Sequence, residues 1–273
     1  MLIAQISDLH VRPAGQLAYG VSETNPFLER AVHALLRLDP APDCVLVTGD
    51  ITDCGLAEEY AIAAALLARL PCPVYCIPGN HDRREPFRAA FAPAGYLPAA
   101  GALNYVVDRG RVRIVALDSL VPGESGGALS PATLAFLRAA LDDAPDRPTL
   151  VMLHHPPFET GIAHMDRVTL TAGRDGLEAI VSAHPQVERV LCGHVHRSIQ
   201  TRFAGTIAQS APSVAHQVAF DLRADGASCF VLEPPAFLVH RLGEAGVVTH
   251  EVEVDRAPGP FPFVLPADYP GRR

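Results

Sequence analysis

Short apolar runs alternate with amphipathic stretches over the first 200 residues. Leu2–Ile6, Cys44–Thr48, Val74–Ile77, Val112–Leu117, Thr149–Leu153 and Val187–Cys192 read as strands. Between them Phe27, Leu28, Ala31, Val32, Leu35 and Leu36 recur at helical spacing, and Leu56–Leu70 and Asp175–Ala183 form further helical patterns. Asn25-Pro26 and Ser130-Pro131 each read as an N-cap followed by proline at the first helical position. Alternation of this kind predicts an α/β core. After about Ser198 the rhythm changes. Gln200–Phe203, Thr206–Gln209, Val218–Leu222, Ser228–Leu232, Phe237–Arg241 and Val247–Val254 follow one another without helical patterning, which predicts a second, mainly antiparallel sheet. From Ala257 the chain is rich in Pro, Gly and aromatics. The expected division is a core over 1–198, a β-rich cap or dimerisation part over 199–256, and a Pro-rich arm over 257–273 that crosses the surface or packs on a neighbouring subunit.

Composition narrows the classes. A chain of 273 residues, 49% apolar and 19% charged, suits one large globular domain or one with a small appendage. No run of 18 apolar residues is present, so no membrane span is expected. The start lacks a basic segment and enters LIAQI directly, which reads as a strand rather than a signal peptide, and the expectation is a cytoplasmic protein. A net charge of −8 argues against a nucleic-acid polymer as partner, since tracking phosphates needs a positive excess. All 22 basic residues are Arg, which excludes Schiff-base chemistry and a P-loop lysine. None of the six cysteines falls in a CxxC pair, so they read as small buried hydrophobes in a reducing compartment.

Five apolar runs deliver ligand-type side chains just past their ends: Asp8 and His10, Asp50, Asn80-His81-Asp82, His154-His155, and His194 and His196. Ligands of open α/β sheets bind outside the carboxyl ends of strands, which places all five groups on one rim. Two carboxylates, one amide oxygen and several imidazoles suit borderline or hard divalent metals. In Asp8-x-His10 and His194-x-His196, alternate residues of an extended segment point the same way. Gly49, Gly79 and Gly193 precede three of the groups and let the backbone turn sharply. A single carboxylate such as Asp50 can bridge two cations, so seven ligands with one shared give four protein contacts per ion.

The ordered series DxH, GD, GNHD, HH and GHxH, from Asp8 to His196, resembles the calcineurin-like metallophosphoesterase superfamily. Within it the chain is most similar to the class III cyclic nucleotide phosphodiesterase branch, and there to bacterial dinuclear-metal glycerophosphodiesterases. Ala18-Tyr19-Gly20, His154–Pro157, Ala163–Asp166, Val214–Val218 and the segment around Leu238–Arg241 carry that likeness. The resemblance implies a four-layer αββα sandwich with a β-rich C-terminal part. It also implies two divalent ions (Fe, Mn, Zn or Co), one held by Asp8, His10, Asp50 and His196, the other by Asp50, Asn80, His154 and His194. His81 would then reach the scissile phosphate with Asp82 orienting it, while Asn80, His81, Tyr19 and His216 would meet the substrate. The implied reaction is in-line attack of a metal-bound hydroxide on a small phosphodiester, glycerophosphodiester-like, with a 3′,5′-cyclic nucleotide or a phosphomonoester as the alternatives.

Two departures bear on the branch. Purple acid phosphatases carry a Tyr ligand three residues after the GD aspartate, where this chain has Asp53, and protein Ser/Thr phosphatases show Asp-Arg-Gly where it has Asp53-Cys54-Gly55. His155 reads as a structural neighbour of His154, and the segment around His164 as a lid or a connector. The β-rich third and the Pro-rich arm make a homo-oligomer the expected assembly.

Overall fold

The computed structural model describes residues 1–264 and 269–270. β1 (Leu2–Ile6), β2 (Cys44–Val47) and β3 (Val74–Cys76) alternate with the helices α1 (Thr24–Leu36), α2 (Ala57–Leu67) and α3 (Arg84–Phe91). A hairpin of β4 (Tyr105–Arg109) and β5 (Val112–Ala116) follows, then the short β6 (Gly127–Ala128), α4 (Pro131–Asp142) and β7 (Thr149–Met152). One-turn α5 (Ala163–Asp166), short β8 (Leu170–Ala172), α6 (Arg174–Ser182) and β9 (Val187–Cys192) complete the alternating part. The remainder is β10 (Ile199–Phe203), β11 (Thr206–Ser210), β12 (Gln217–Val218), β13 (Phe230–Val231), β14 (Ala236–Gly243) and β15 (Gly246–Glu253).

Two large sheets result, ordered β15-β14-β1-β2-β3 and β10-β11-β9-β7-β5-β4, beside the two-stranded pairs β12-β13 and β6-β8. Each has a parallel centre, β1-β2-β3 and β11-β9-β7-β5; helical crossovers return the chain in the same direction for all of these pairs except β9 and β11, which are linked through edge strand β10. Strand alternation then builds three separate apolar interfaces. Ala4, Ile6, Val45 and Val47 pack on Leu28, Val32 and Leu35 of α1. Val115, Val151 and Val190 pack on Leu137 and Leu141 of α4 and Leu177 and Ile180 of α6. Ile3, Leu46, Ile114, Leu150 and Leu191 fill the space between the sheets. This is the αββα sandwich, and it explains why the strands read as unbroken apolar runs: both faces are buried. Each fully buried Leu or Ile here contributes about 2 kcal/mol of transfer free energy.

Two expectations differ from the structure. Among the described residues beyond 198, only β12 and β13 form a separate antiparallel sheet, of two short strands, and the longer strands join the two large sheets instead. β10 pairs antiparallel with β11 at the edge of one sheet, and β14 joins β1 and carries β15 at the edge of the other, the half-exposed faces of β10 and β15 suiting edge positions. Ser130 caps α4, accepting from Thr133 N at 3.1 Å, but Asn25 does not cap α1, which begins at Thr24. The Asn25 amide is taken by Arg12, with Nδ2 donating to Arg12 O at 2.8 Å. The arm expected over 257–273 lies partly outside the described residues.

Candidate metal centre

The rim is built where β1, β2, β3, β7 and β9 end. Asp8, His10, Asp50, His194 and His196 all adopt left-handed backbone, with φ between 45° and 70°, a region non-glycine residues seldom enter. The loops also interlock. A Cβ on Gly79 would fall on Asp50, one on Gly49 on His154, and one on Gly193 on Ser7 and Asp8. These glycines let neighbouring loops touch so that donors from different strands converge.

Ligand atoms of Asp8, His10, Asp50 and His196 all lie within 4.8 Å of one another. Beside them, Asn80 Oδ1 stands 3.1 Å from His154 Nε2 and 3.0 Å from His194 Nδ1, and His154 Nε2 is 3.3 Å from Asp50 Oδ2. All seven residues expected as ligands therefore meet in one place, with Asp50 between the two groups.

Three of the rings are aimed by their Nδ1. His196 Nδ1–H donates to His216 O and His154 Nδ1–H to Thr48 O, both at 2.7 Å, and His10 Nδ1–H donates to Asp53 Oδ1 at 3.2 Å. The Nε2 atoms of these three rings are left pointing inward. His10 Nε2 and His196 Nε2 face each other at 3.2 Å, and His194 Nε2 is buried without a partner. Converging ring nitrogens beside buried carboxylates are a poor arrangement for a chain alone and a fitting one for cations, so the residues present suit the divalent metals that this set of motifs implies.

Electrostatics agree. Burial works to raise Asp8, but the neighbouring His196 outweighs it and holds the carboxyl down to about 2. Burial works to lower His154, but Asp50 brings it up to about 9. Burial, reinforced by His154, pulls His194 down to about 3, which keeps it neutral and able to ligate. Asp8 and Asp50 are thus buried anions, which require positive charge nearby.

His81 stands at the edge of this cluster. Its Nδ1–H donates to Asp53 O at 2.7 Å, its backbone N–H to Asp50 Oδ1 at 2.8 Å, and its Nε2 lies 3.4 Å from the Tyr19 hydroxyl. Asp82 does not orient His81. It points the other way and accepts from the backbone of Ile51, Thr52 and Gly79 and from the hydroxyls of Thr52 and Tyr60, tying the loops after β2 and β3 together. The orienting residue is Asp53, which holds His81 through its carbonyl and His10 through its carboxylate. Sequence reasoning missed it, and the available signal was the second carboxylate three residues after Asp50.

Tyr19, His81 and His216 line a cavity of about 450 Å³ that reaches Asp50, Asn80, His194 and His196. Burial, with His10 adding to it, pulls His216 down to about 2, and its Nδ1 has no partner. Tyr19 also packs on Phe230, ring centroids 5.4 Å apart. His164 borders the same cavity from α5. His155 is held at both ring nitrogens, with Ser119 Oγ 2.8 Å from Nδ1 and Ser125 O 3.2 Å from Nε2, and its ring also lies beside His154 and His194.

A two-sheet sandwich with carboxylates, an amide and imidazoles gathered at its strand ends defines a metal-site phosphoesterase. The chain belongs to the calcineurin-like phosphoesterase family, whose model matches residues 1–198. It is 38% identical over 264 residues to the protein named "Probable glycerophosphodiester phosphodiesterase GpdQ" of Arcobacter nitrofigilis, covering 96% of this chain and 97% of that one. It is 32% identical over 248 residues to the 3′,5′-cyclic adenosine monophosphate phosphodiesterase CpdA of Pseudomonas aeruginosa, covering 90% and 87%. The crystal structure of a dimetal phosphatase from Danio rerio superposes with a TM-score of 0.65 over 93% of this chain and 99% of that one, at 16% identity, which is a likeness of fold. No helix among the described residues is long and apolar enough to cross a membrane.

Proposed function

We propose that the chain is a dinuclear metal-dependent phosphodiesterase acting on small diesters of the glycerophosphodiester kind. The observation that carries this reading is the convergence of seven donors around Asp50 at the floor of a cavity sized for a small molecule. In this reading Asp8, His10, Asp50 and His196 hold one cation and Asp50, Asn80, His154 and His194 the other. Fe, Mn, Zn and Co all suit such nitrogen and oxygen donors. Bound divalent ions neutralise non-bridging phosphate oxygens and lower the pKa of water.

The chain's own groups do the rest. Asp53 fixes the His81 ring so that Nε2 faces the cavity, where the imidazolium stabilises phosphoryl charge or protonates the departing alkoxide. The charge of Asp50 and then Asp53 outweighs burial and raises the His81 pKa, which favours the proton-bearing form. Tyr19 and His216 would border the substrate's alcohol portions, and Asn80 would both hold a cation and meet the substrate.

The test is hydrolysis of bis(p-nitrophenyl) phosphate beside p-nitrophenyl phosphate, after chelation and again with Mn²⁺ restored. Diester turnover that stops with chelator and returns with metal is expected. Faster monoester turnover would make the protein a phosphomonoesterase instead. A second reading, a 3′,5′-cyclic nucleotide phosphodiesterase, draws on the aromatic faces of Tyr19 and Phe230 at the cavity, where a base could stack. Glycerophosphoethanolamine turned over in preference to cyclic AMP supports the first reading; the reverse supports the second.

Assembly and compartment belong to the same proposal. Exposed Phe220, Leu222 and Leu232 support a homo-oligomer, tested by sizing the protein before and after truncation at Val254. Six unpaired cysteines support a reducing, cytoplasmic setting.

A further inference from the structure

The turn between β11 and β12 lies across the ends of β1 and β9, one strand from each large sheet: Ala211 N donates to Cys192 O and Val214 N to Ser7 O. Ser213, in the middle of that turn and fully buried, touches the ligand-bearing loops of both strands. Its backbone N–H donates to His196 O at 3.2 Å. Its Oγ lies 2.8 Å from Asp8 O, 2.9 Å from Ala215 N and 3.2 Å from His216 N.

The bonding of this hydroxyl is forced. Ala215 and His216 offer N–H groups, so Oγ accepts from both, and its single proton goes to Asp8 O. Every bonding capacity of the hydroxyl is then used. The two accepted bonds close the turn and set the direction of His216 O, which takes His196 Nδ1–H at 2.7 Å. The donated bond holds the carbonyl of Asp8, whose backbone is left-handed at φ 54°. One hydroxyl thus bears on both Asp8 and His196, whose Oδ1 and Nε2 stand 3.3 Å apart. Among the described residues its bonds reach neither Asn80, His154 nor His194.

We propose that Ser213 is a positioning residue for one cation of the pair, the one assigned above to Asp8, His10, Asp50 and His196; the inference rests on that assignment. Without the hydroxyl, Asp8 O loses a donor and the turn beneath His196 loses two bonds, so a carboxylate and a ring of the same group are aimed less well. The other group keeps its own support, with His154 Nδ1 still bonded to Thr48 O.

The test is isothermal titration of the chelator-treated, full-length protein with Mn²⁺ in two backgrounds. Asn80→Ala removes a donor of the other cation and leaves the Asp8 group complete; His10→Ala does the reverse. Ser213→Ala should weaken Mn²⁺ binding about ten- to a hundredfold in the Asn80→Ala background, as loss of a supporting group does, and change it little in the His10→Ala background. Ser213→Cys, whose sulfur makes only weak hydrogen bonds, should give the same pattern and keeps the test decisive if Ser213→Ala fails to fold. Unchanged affinity in the Asn80→Ala background would overturn the proposal alone. Equal weakening in both backgrounds would also overturn it, because a generally loosened fold does not choose between the two groups. No saturable Mn²⁺ binding by the parent protein would overturn the metal assignment and this proposal with it.

Discussion

Replacing Gly79 by Ala tests whether the interlocking of the β2 and β3 loops sets the site. Gly79 has ordinary backbone, so the added methyl acts through space alone. It would fall on the Asp50 backbone nitrogen and Oδ1 and lie 2.8 Å from Asp50 Cγ. Carbon settles at about 3.2 Å or more from oxygen and nitrogen, so Asp50 or the Gly79 turn must move by roughly 1 Å. Overpacking of this kind costs about 1–3 kcal/mol. For a chain of 273 residues that is a fall of about 2–5 °C in Tm. The effect on turnover should be far larger, because Asp50 lies at the join of the two donor groups and a misplacement near 1 Å costs about a hundredfold. The control is Gly243→Ala, where a Cβ meets nothing within 4 Å. The assay is diester hydrolysis at saturating Mn²⁺ beside a thermal melt of the same preparation. Near-wild-type turnover in Gly79→Ala, with Tm unchanged, would falsify the account of how these loops position Asp50.

Further outcomes follow from the same geometry. Asp53→Ala removes the carboxylate that aims His10 but keeps the backbone carbonyl on His81, so it should lower kcat by about ten- to a hundredfold with little loss of fold, as loss of such supporting groups does. Steady-state kinetics check it, and unchanged kcat would remove the carboxylate from the account of how His10 is aimed. Chelation should lower Tm by about 5 °C per site if each ion is normally present at a hundredfold its Kd. The far-UV circular dichroism should not change. Burial holds His240 down to about 3, below its unfolded value near 6.5, so the stability it supports is whole above pH 6.5 and is lost as pH falls toward 3. The slope is about 1.4 kcal/mol per pH unit for this one proton, and buried His194 and His216 share the sign in chelated protein. Denaturant titrations of chelated protein between pH 4 and 7 should therefore show a shallower acid loss for His240→Asn than for the wild type.

The strands were legible because their burial on both faces leaves a purely apolar signature, and the ligands because each sits a residue or two beyond such a run. What local pattern could not carry is long-range pairing. β14 lies against β1 in the register Leu2↔Arg241, and nothing near Arg241 says which sheet edge receives it. The polar link between the sheets is equally non-local. His240 Nε2 donates to Gln5 Oε1 at 3.0 Å, and Gln5 Nε2 donates to Thr48 Oγ1 and to Cys192 O, so one chain of bonds ties three strands that end in proposed ligands. Asp82 was misread for a related reason. Adjacency to His81 suggested contact, but successive side chains diverge, and five donors on the far side hold its carboxylate.

The left-handed residues join these strands to their chemistry. Five of the seven proposed ligands adopt positive φ, each at a cost of order 1–3 kcal/mol, so together they carry strain comparable to the stability of a whole domain. Such strain persists only where surrounding bonds over-determine it. They do so here across loops: Asp8 N donates to Gly49 O, His10 N to Asp50 O, His194 N to the Asp8 carboxylate, and Ser213 Oγ to Asp8 O. The bonds that hold the strain are therefore the bonds that aim the donors. A cation entering this cluster meets side chains already set by the fold, so its binding energy is not spent on ordering loops. That is why the secondary structure should survive chelation while Asp50, displaced by a single methyl at Gly79, should lose its function.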